Sequence, residues 1–124
     1  MDADLRRRWV EALRSGRYRQ GLNVLCKIVD LPRDTSGKQR SERRYCCLGV
    51  LCDVIDPSGW IKTDDGRPDR EYWKHAGTGH TGRVDLPSEL KSQLGIYDTS
   101  RYMAMNDEEH LSFEAIADRI ESEP

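Results

Sequence analysis

The sequence predicts a single small α+β domain that spans residues 1–124. We expect three or four helices packed on a few short antiparallel strands around a buried central helix. Three observations favour this fold class: amphipathic helical spacing near both ends, an alternating pattern at residues 22–29, and one apolar block at residues 45–55. A chain of 124 residues is long enough for one hydrophobic core but not for two.

The first predicted element is an amphipathic helix at residues 3–15. Its apolar side chains recur at helical spacing, and its charged side chains fall on the opposite face. Asp2 or Asp4 is a suitable N-cap, and Gly16 stands where a left-handed residue commonly ends a helix.

A strand and a polar loop follow. Residues 22–29 alternate between apolar and polar side chains, which predicts a strand that ends before Pro32. Residues 33–42 include no apolar side chain, so we expect a mobile loop there. The strand and Tyr45, on either side of this loop, can then pair as a hairpin.

The organising element is the block Tyr45-Cys46-Cys47-Leu48-Gly49-Val50-Leu51-Cys52-Asp53-Val54-Ile55. It is nearly free of charge in a chain that is 34% charged, and it carries all but one of the cysteines. Its leucines, Cys52 and Ile55 recur at helical spacing, which predicts a buried helix from about Cys46 to Ile55 after a short strand entry. Asp56-Pro57 then stops the helix, because a residue before proline is pushed out of the α region.

After the central block we expect a hairpin and a glycine-rich loop. Trp60-Ile61-Lys62 is the first strand of the predicted hairpin, and Thr63-Asp64-Asp65-Gly66 has the Asp-Gly signal of its turn. Residues 77–82 contain three glycines and predict a loop.

The last third predicts two more helices. One begins near Leu86 and ends at Gly95, and the other is capped by Ser112. The apolar piece Arg101–Met105 between them is compatible with either type of element. Asn106-Asp107 predicts a turn, because both side chains readily satisfy local backbone groups.

Composition predicts a cytoplasmic protein with free thiols. No stretch approaches the roughly 18 apolar residues that a membrane span needs, and the N-terminal residues lack the apolar segment of a secretory signal. In a reducing compartment four cysteines are more often thiols than disulfides.

The charges are unevenly distributed, although the net charge is only −2. Residues 1–44 are rich in Lys and Arg, and the last twenty residues are rich in Asp and Glu. This asymmetry predicts either an anionic partner for the basic half or a contact between the two ends. The clusters Arg6–Arg8 and Arg40–Arg44 suit phosphate contacts, but the acidic tail argues against nucleic acid as the partner.

Several pieces of the chain resemble a family of small uncharacterised bacteriophage and prophage proteins. The most specific is the Cys-Cys-Leu-Gly-Val-Leu-Cys-Asp block, and others are Trp9–Gly16, Leu86-Pro87, Met105-Asn106-Asp107 and Ser112-Phe113. The family has no assigned activity. The resemblance therefore implies a phage accessory protein in the host bacterial cytosol, and it implies no reaction.

The cysteines are compatible with two kinds of role, catalytic and structural. Cys46 or Cys47 at a helix N-terminus could serve a cysteine-dependent hydrolase with His75, His80 or His110 as the base. Burial in an apolar block raises a thiol pKa, which favours structural packing instead. No Cys-x-x-Cys pair or paired histidine spacing predicts a metal site, and we expect no cofactor.

The best candidate for ligand binding is the span Arg67–Arg83, which mixes cations with aromatic rings. Guanidinium groups pair with phosphates and aromatic faces stack on bases, so this composition suits a nucleotide-like anion. The predicted ligand-binding residues are Arg67, Trp73, Lys74, His75 and Arg83.

The sequence therefore predicts a non-enzymatic accessory protein that acts by binding. Its partner is either a small nucleotide-like signal, which it would sequester, or a host defence protein, which it would block. Proteins that sequester small ligands often build pockets between subunits, so we expect a homo-oligomer. The alternative is the cysteine-dependent hydrolase.

Overall fold

The computed structural model of the protein describes residues 2–62, 69–74, 81–82, 84–86, 91–92, 94–96 and 98–123. These residues form four helices and a six-stranded mixed sheet, which confirms the predicted α+β class. The elements in chain order are α1 (Ala3–Arg14), β1 (Arg19–Gln20), β2 (Cys26–Leu31), β3 (Arg40–Tyr45), α2 (Cys47–Ile55), β4 (Trp60–Lys62), β5 (Arg70–Lys74), β6 (Thr81–Gly82), α3 (Ser100–Asp107) and α4 (Phe113–Glu121).

The strands are arranged in the order β1-β3-β2-β5-β4, and β6 also pairs with β5. β2 and β3 form the predicted hairpin, in which Cys26 lies opposite Tyr45 and Leu31 lies opposite Arg40. The predicted antiparallel pairing holds for every described pair except β1 with β3, which is parallel.

Three strand boundaries differ from those expected. β2 begins at Cys26 instead of residue 22, and β3 includes residues 40–42, which were expected in the polar loop. Thr81 and Gly82, also expected in a loop, pair with β5. In each case backbone hydrogen bonds to a neighbouring strand determine the element, and such bonds do not require apolar side chains.

The first and last helices, α1 and α4, begin at the capping residues that the sequence indicates, and α1 ends just before the expected glycine. The Asp2 carboxylate accepts a hydrogen bond from the Leu5 backbone N–H at 2.9 Å, and Gly16 adopts φ +76° just past α1. Ser112 caps α4 by accepting from Ala115 N at 3.2 Å. Ser112 and the left-handed glycine were predicted, and Asp2 is one of the two residues that were expected to cap α1, because caps depend on residues close in sequence.

The two ends of the chain meet, as one of the two interpretations of the charge asymmetry predicted. Arg14 on α1 donates to Asp118 at 2.5 Å and to Glu121 at 2.8 Å on α4. Beneath these exposed pairs the apolar stripes of both helices are buried together. Part of the acidic tail is therefore balanced within the molecule.

The central block is the interior of the fold, as predicted. Tyr45 ends β3, Cys46 is the N-cap of α2, and every residue from Cys47 to Cys52 is buried. Trp9 on α1 donates its indole N–H to the Cys47 carbonyl at 2.9 Å, and Tyr102 on α3 packs against Trp9 at a ring distance of 5.1 Å. α2 thus joins the sheet to the other helices.

Some predictions concern residues outside the described part of the chain. They include the turn at residues 63–66, most of the glycine-rich stretch and the start of the helix near Leu86. The helical residues Lys91, Ser92 and Leu94 are followed by Gly95 at φ +71°, which confirms the expected stop. In the described residues, every helix is too short or too polar to cross a membrane.

Candidate functional site

The two faces of the sheet differ sharply in composition. Strand side chains alternate between faces, so Cys26, Tyr45, Glu71 and Trp73 share the inner face, where all four are buried. The neighbouring positions fall on the outer face. Its described strand residues are Arg19, Lys27, Val29, Leu31, Arg40, Glu42, Arg44, Ile61, Arg70, Tyr72, Lys74 and Thr81.

Four cations stand in register across four adjacent strands of this outer face. Arg19 on β1 lies opposite Arg44 on β3, Arg44 lies opposite Lys27 on β2, and Lys27 lies opposite Arg70 on β5. We call these four residues the cation row. Because neighbouring strands are about 4.8 Å apart, the four Cα atoms span about 14 Å.

The cation row is poorly compensated. Arg44 pairs with Glu42 at 2.9 Å, whereas within the described residues no carboxylate lies within 4.0 Å of Arg19, Lys27 or Arg70. Arg70 Nε is also buried without a hydrogen-bond partner. Like charges directly opposite each other destabilise a sheet, so an anion bound over the row would stabilise it.

An open depression of about 360 Å³ lies beside the centre of the row. Its volume is within the range of roughly 300–1,000 Å³ that is typical of small-molecule sites. Lys27 and Arg44 supply positive charge, Val29 and the exposed Leu22 supply apolar surface, and the remaining wall is formed by Gln20, Gly21 and Asn23.

Asn106 holds this wall in place. Its side chain is fully buried, its Oδ1 accepts from Gln20 Nε2 at 2.9 Å, and its Nδ2 donates to the Gly21 carbonyl at 2.8 Å. The Asp107 carboxylate accepts from the backbone N–H of Asn23 at 3.0 Å, where φ is +69°. The expected turn at Asn106-Asp107 is therefore wrong: both residues end α3, and their side chains bind a segment distant in sequence.

The predicted ligand-binding residues are distributed differently from what the sequence indicated. Lys74 is exposed on the outer face, two residues beyond Tyr72 on the same strand. Trp73 faces the opposite way, is 0% exposed and donates its indole N–H to the Asp56 carbonyl at 3.0 Å. Its ring is therefore part of the core and does not face a ligand on the outer surface. The reason is that adjacent residues of a strand point to opposite faces of the sheet.

The other three predicted ligand-binding residues, Arg67, His75 and Arg83, lie outside the described residues. Sequence reasoning did not select Arg19, Lys27, Arg44 or Arg70 as a set. Arg44 and Lys27 are separated by the hairpin loop, and only their pairing brings them together. A signal was present in the cations at alternate positions of β3, Arg40 and Arg44, with Glu42 between them.

The cysteines have the environment of core residues. All four are buried and free. Burial raises the pKa of the Cys46 thiol to about 12, and burial raises the pKa of Cys47 well above its ordinary value. Cys46 Sγ accepts from Gly49 N at 3.4 Å, whereas the Cys47 thiol donates to the Tyr102 carbonyl at 3.3 Å. Neither sulfur is a reactive thiolate near neutral pH.

The histidines and acidic residues form no metal cluster in the described part of the chain. His110 is exposed in the loop before α4, and the other two candidate bases, His75 and His80, lie outside that part. The hydrolase alternative thus lacks both an ionised nucleophile and a described base close to it.

A second depression, of about 370 Å³, lies beside Asp53, the acid of the central block. Its carboxylate accepts from the Tyr18 hydroxyl at 2.5 Å and from the Trp60 indole N–H at 2.9 Å. Burial, followed by the bond to Asp53, raises the pKa of Tyr18 above its ordinary value. Both carboxylate oxygens are already bonded, so Asp53 fixes two aromatic rings and is a weaker ligand candidate than the cation row.

Comparison with known proteins finds no counterpart. No family model matches the chain, and no curated protein or solved structure shows significant similarity to it. The resemblance to small phage proteins therefore stays a prediction.

Proposed function

We propose that this protein is a non-enzymatic phage accessory protein that acts in the host bacterial cytosol by binding a nucleotide-like anion on the outer face of its sheet. The observation that carries the proposal is the cation row beside an open depression. Phosphate oxygens would contact Lys27 and Arg44, and the flat face of a base would contact Leu22 and Val29.

The charges of Arg19, Lys27 and Arg70, for which the described residues supply no ion pair, support this function over a structural role. A sheet selected only for stability would place acids opposite Arg44 and Lys27, because opposite charges across strands are favourable. The depression favours a small ligand over a host protein, since an acidic protein surface would need the cations and no cavity. The structure is of a single chain, so the expected homo-oligomer stays a prediction.

Isothermal titration calorimetry of the full chain tests the proposal. The panel consists of nucleoside monophosphates, nucleoside triphosphates and cyclic dinucleotides at low ionic strength. At least one should bind, and Lys27→Gln should weaken its affinity by about tenfold. That factor follows because losing one charge-assisted hydrogen bond costs roughly 1.5 kcal/mol, and about 1.4 kcal/mol is a factor of ten in Kd.

Arg119→Gln is the matched control. It removes the same charge from an exposed position of α4, away from the sheet. Absence of binding to the whole panel would overturn the proposal, and so would an equal loss of affinity in both variants.

A further inference from the structure

The cation row extends beyond the depression on both sides. Lys27 and Arg44 line the depression, whereas Arg19 and Arg70 each lie one strand further out. A mononucleotide in the depression carries its phosphate at one point and cannot cover a row about 14 Å long. A ligand that uses the whole row needs several anionic groups spaced along a line that crosses the strands.

The same face also has a platform for bases. Tyr72 is part-exposed on β5, between Arg70 and Lys74 at alternate positions, and lies opposite Ile61, which is 37% exposed. An aromatic ring on a sheet face that also carries cations is the arrangement that sheet-based RNA-binding modules use to stack unpaired bases. The aromatic residue that faces a ligand is thus Tyr72, and its neighbour Trp73 supports the sheet from inside.

The width of the row favours a single strand over a duplex. A two-stranded ribbon fits the major groove of DNA, which is about 12 Å wide. Four adjacent strands with long cationic side chains are broader than this groove. Unpaired nucleotides can instead lie flat on the sheet, with their phosphates along the row and their bases toward Tyr72.

We infer that the outer face binds a short single-stranded nucleic acid, with the phosphates on Arg19, Arg44, Lys27 and Arg70. This inference rests on the proposed function and names its ligand class. It reverses the expectation from composition, because the acidic residues that argued against nucleic acid lie in and around α3 and α4, whereas the described strand residues of the outer face are mostly basic or apolar. Glu42 is the one acid among the described strand residues of that face.

Fluorescence anisotropy with labelled oligothymidylates and oligouridylates of about 4 and about 12 nucleotides tests the inference, since single-strand sites of one domain cover roughly 4–16 nucleotides. The affinity should exceed that of a mononucleotide by at least tenfold. It should fall as salt rises from about 50 to about 200 mM, with a slope of about −0.7 for each phosphate contacted. Lys27→Gln and Arg70→Gln should each reduce that slope by about 0.7, and Arg119→Gln should leave it unchanged.

Two further variants test the stacking platform. Tyr72→Leu should weaken oligonucleotide binding by about tenfold, and Tyr72→Phe, which keeps the ring, should bind like the native chain. Thermal melting of both variants shows whether each is folded. Equal affinity of the native, Leu and Phe forms would overturn the assignment of Tyr72.

The outcomes of these experiments distinguish a failure of the single-strand inference from a failure of the proposed function. If a mononucleotide binds as tightly as the oligonucleotides, the single-strand inference fails and the proposed function stands. If neither binds, both fail. Tighter binding to duplex DNA, or equally tight binding to polyglutamate, would overturn the inference in favour of a duplex or an acidic protein surface.

Discussion

On the inner face of the sheet the buried Glu71 accepts from Arg43 at 3.1 Å, whereas on the outer face Arg19, Arg44, Lys27 and Arg70 stand side by side. Two of these strands, β3 and β5, supply residues to both sets, so the contrast does not come from a general excess of basic residues. The inner face places an acid beside a cation, whereas the outer face places four cations in one row, of which, among the described residues, only Arg44 pairs with an acid, Glu42. The proposed function accounts for this difference, because packing and folding stability would select the inner face and an anionic ligand would select the outer face.

If packing determines the inner face of the sheet, the helix packed against that face should tolerate almost no added side-chain volume. A Cβ on Gly49 would lie 1.9 Å from the Leu25 carbonyl oxygen, which is backbone and cannot swing away. Gly49→Ala should therefore lower the free energy of unfolding by about 3 kcal/mol or more, because overpacking a core forces backbone shifts. Urea denaturation followed by circular dichroism measures the change.

Gly16→Ala is the control for that substitution. A Cβ there has open space and meets only the strain of φ +76°, so the expected cost is about 1 kcal/mol. If the two variants were equally stable, the close approach of α2 to the segment before β2 would be contradicted.

The next largest effect concerns the wall of the depression beside the cation row. Asn106→Leu keeps a similar volume but leaves the Gly21 carbonyl without its buried donor and removes one of the two acceptors of the Gln20 amide, which still donates to the Leu111 carbonyl. We expect a loss of about 2 kcal/mol in the free energy of unfolding, since an orphaned buried polar group costs roughly 1–3 kcal/mol. Nucleotide affinity should fall as well, because Gln20 and Gly21 line the depression.

Gln39→Leu is a suitable comparison. Its amide donates to the carbonyls of Leu31 and Arg40, but in an exposed hairpin where water can replace those bonds. The expected loss is below about 0.5 kcal/mol. Equal destabilisation by both substitutions would show that burial of Asn106 does not carry the effect.

The smallest effect has the opposite sign. Lys27→Glu places an acid between Arg44 and Arg70, and each opposite-charge pair across strands contributes roughly 0.2–1 kcal/mol. The variant should be more stable by about 1 kcal/mol, with a Tm higher by about 3 °C. It should also bind nucleotides and oligonucleotides more weakly than the native chain.

Lys38→Glu in the hairpin loop makes the same change in charge away from the row, and its Tm should change by less than about 2 °C. Differential scanning calorimetry measures both variants. A decrease in the Tm of Lys27→Glu would mean that Lys27 stabilises the sheet, and it would contradict the expectation that the cation row is selected for binding at a cost in stability.

Local sequence determined much of the scaffold. Asp2 and Ser112 as N-caps, Gly16 and Gly95 as left-handed stops, and the central helix after Tyr45 all depend on residues within one or two turns of each other. The physical reason is that capping and helical periodicity act over three or four positions. Such signals are complete in the sequence itself.

The sequence alone predicted only part of the candidate site. A stretch of mixed cations and aromatic residues at 67–83 pointed to a binding role, and Lys74 does lie on the outer face. Neighbours in that stretch nevertheless separate: Trp73 turns into the core and Lys74 turns outward. Alternation in a strand divides adjacent residues between two environments, so composition over a window cannot identify a face.

The sequence by itself determined the α+β class, the caps of α1 and α4 and the burial of the cysteine block. Only the tertiary structure decided that cations from β1, β2, β3 and β5 stand in one row and that part of the acidic tail pairs with α1. Strand register depends on pairing between distant segments, and a shift of one residue would send every side chain to the other face. The net charge of −2 therefore concealed a basic surface that exists only once those four strands are aligned.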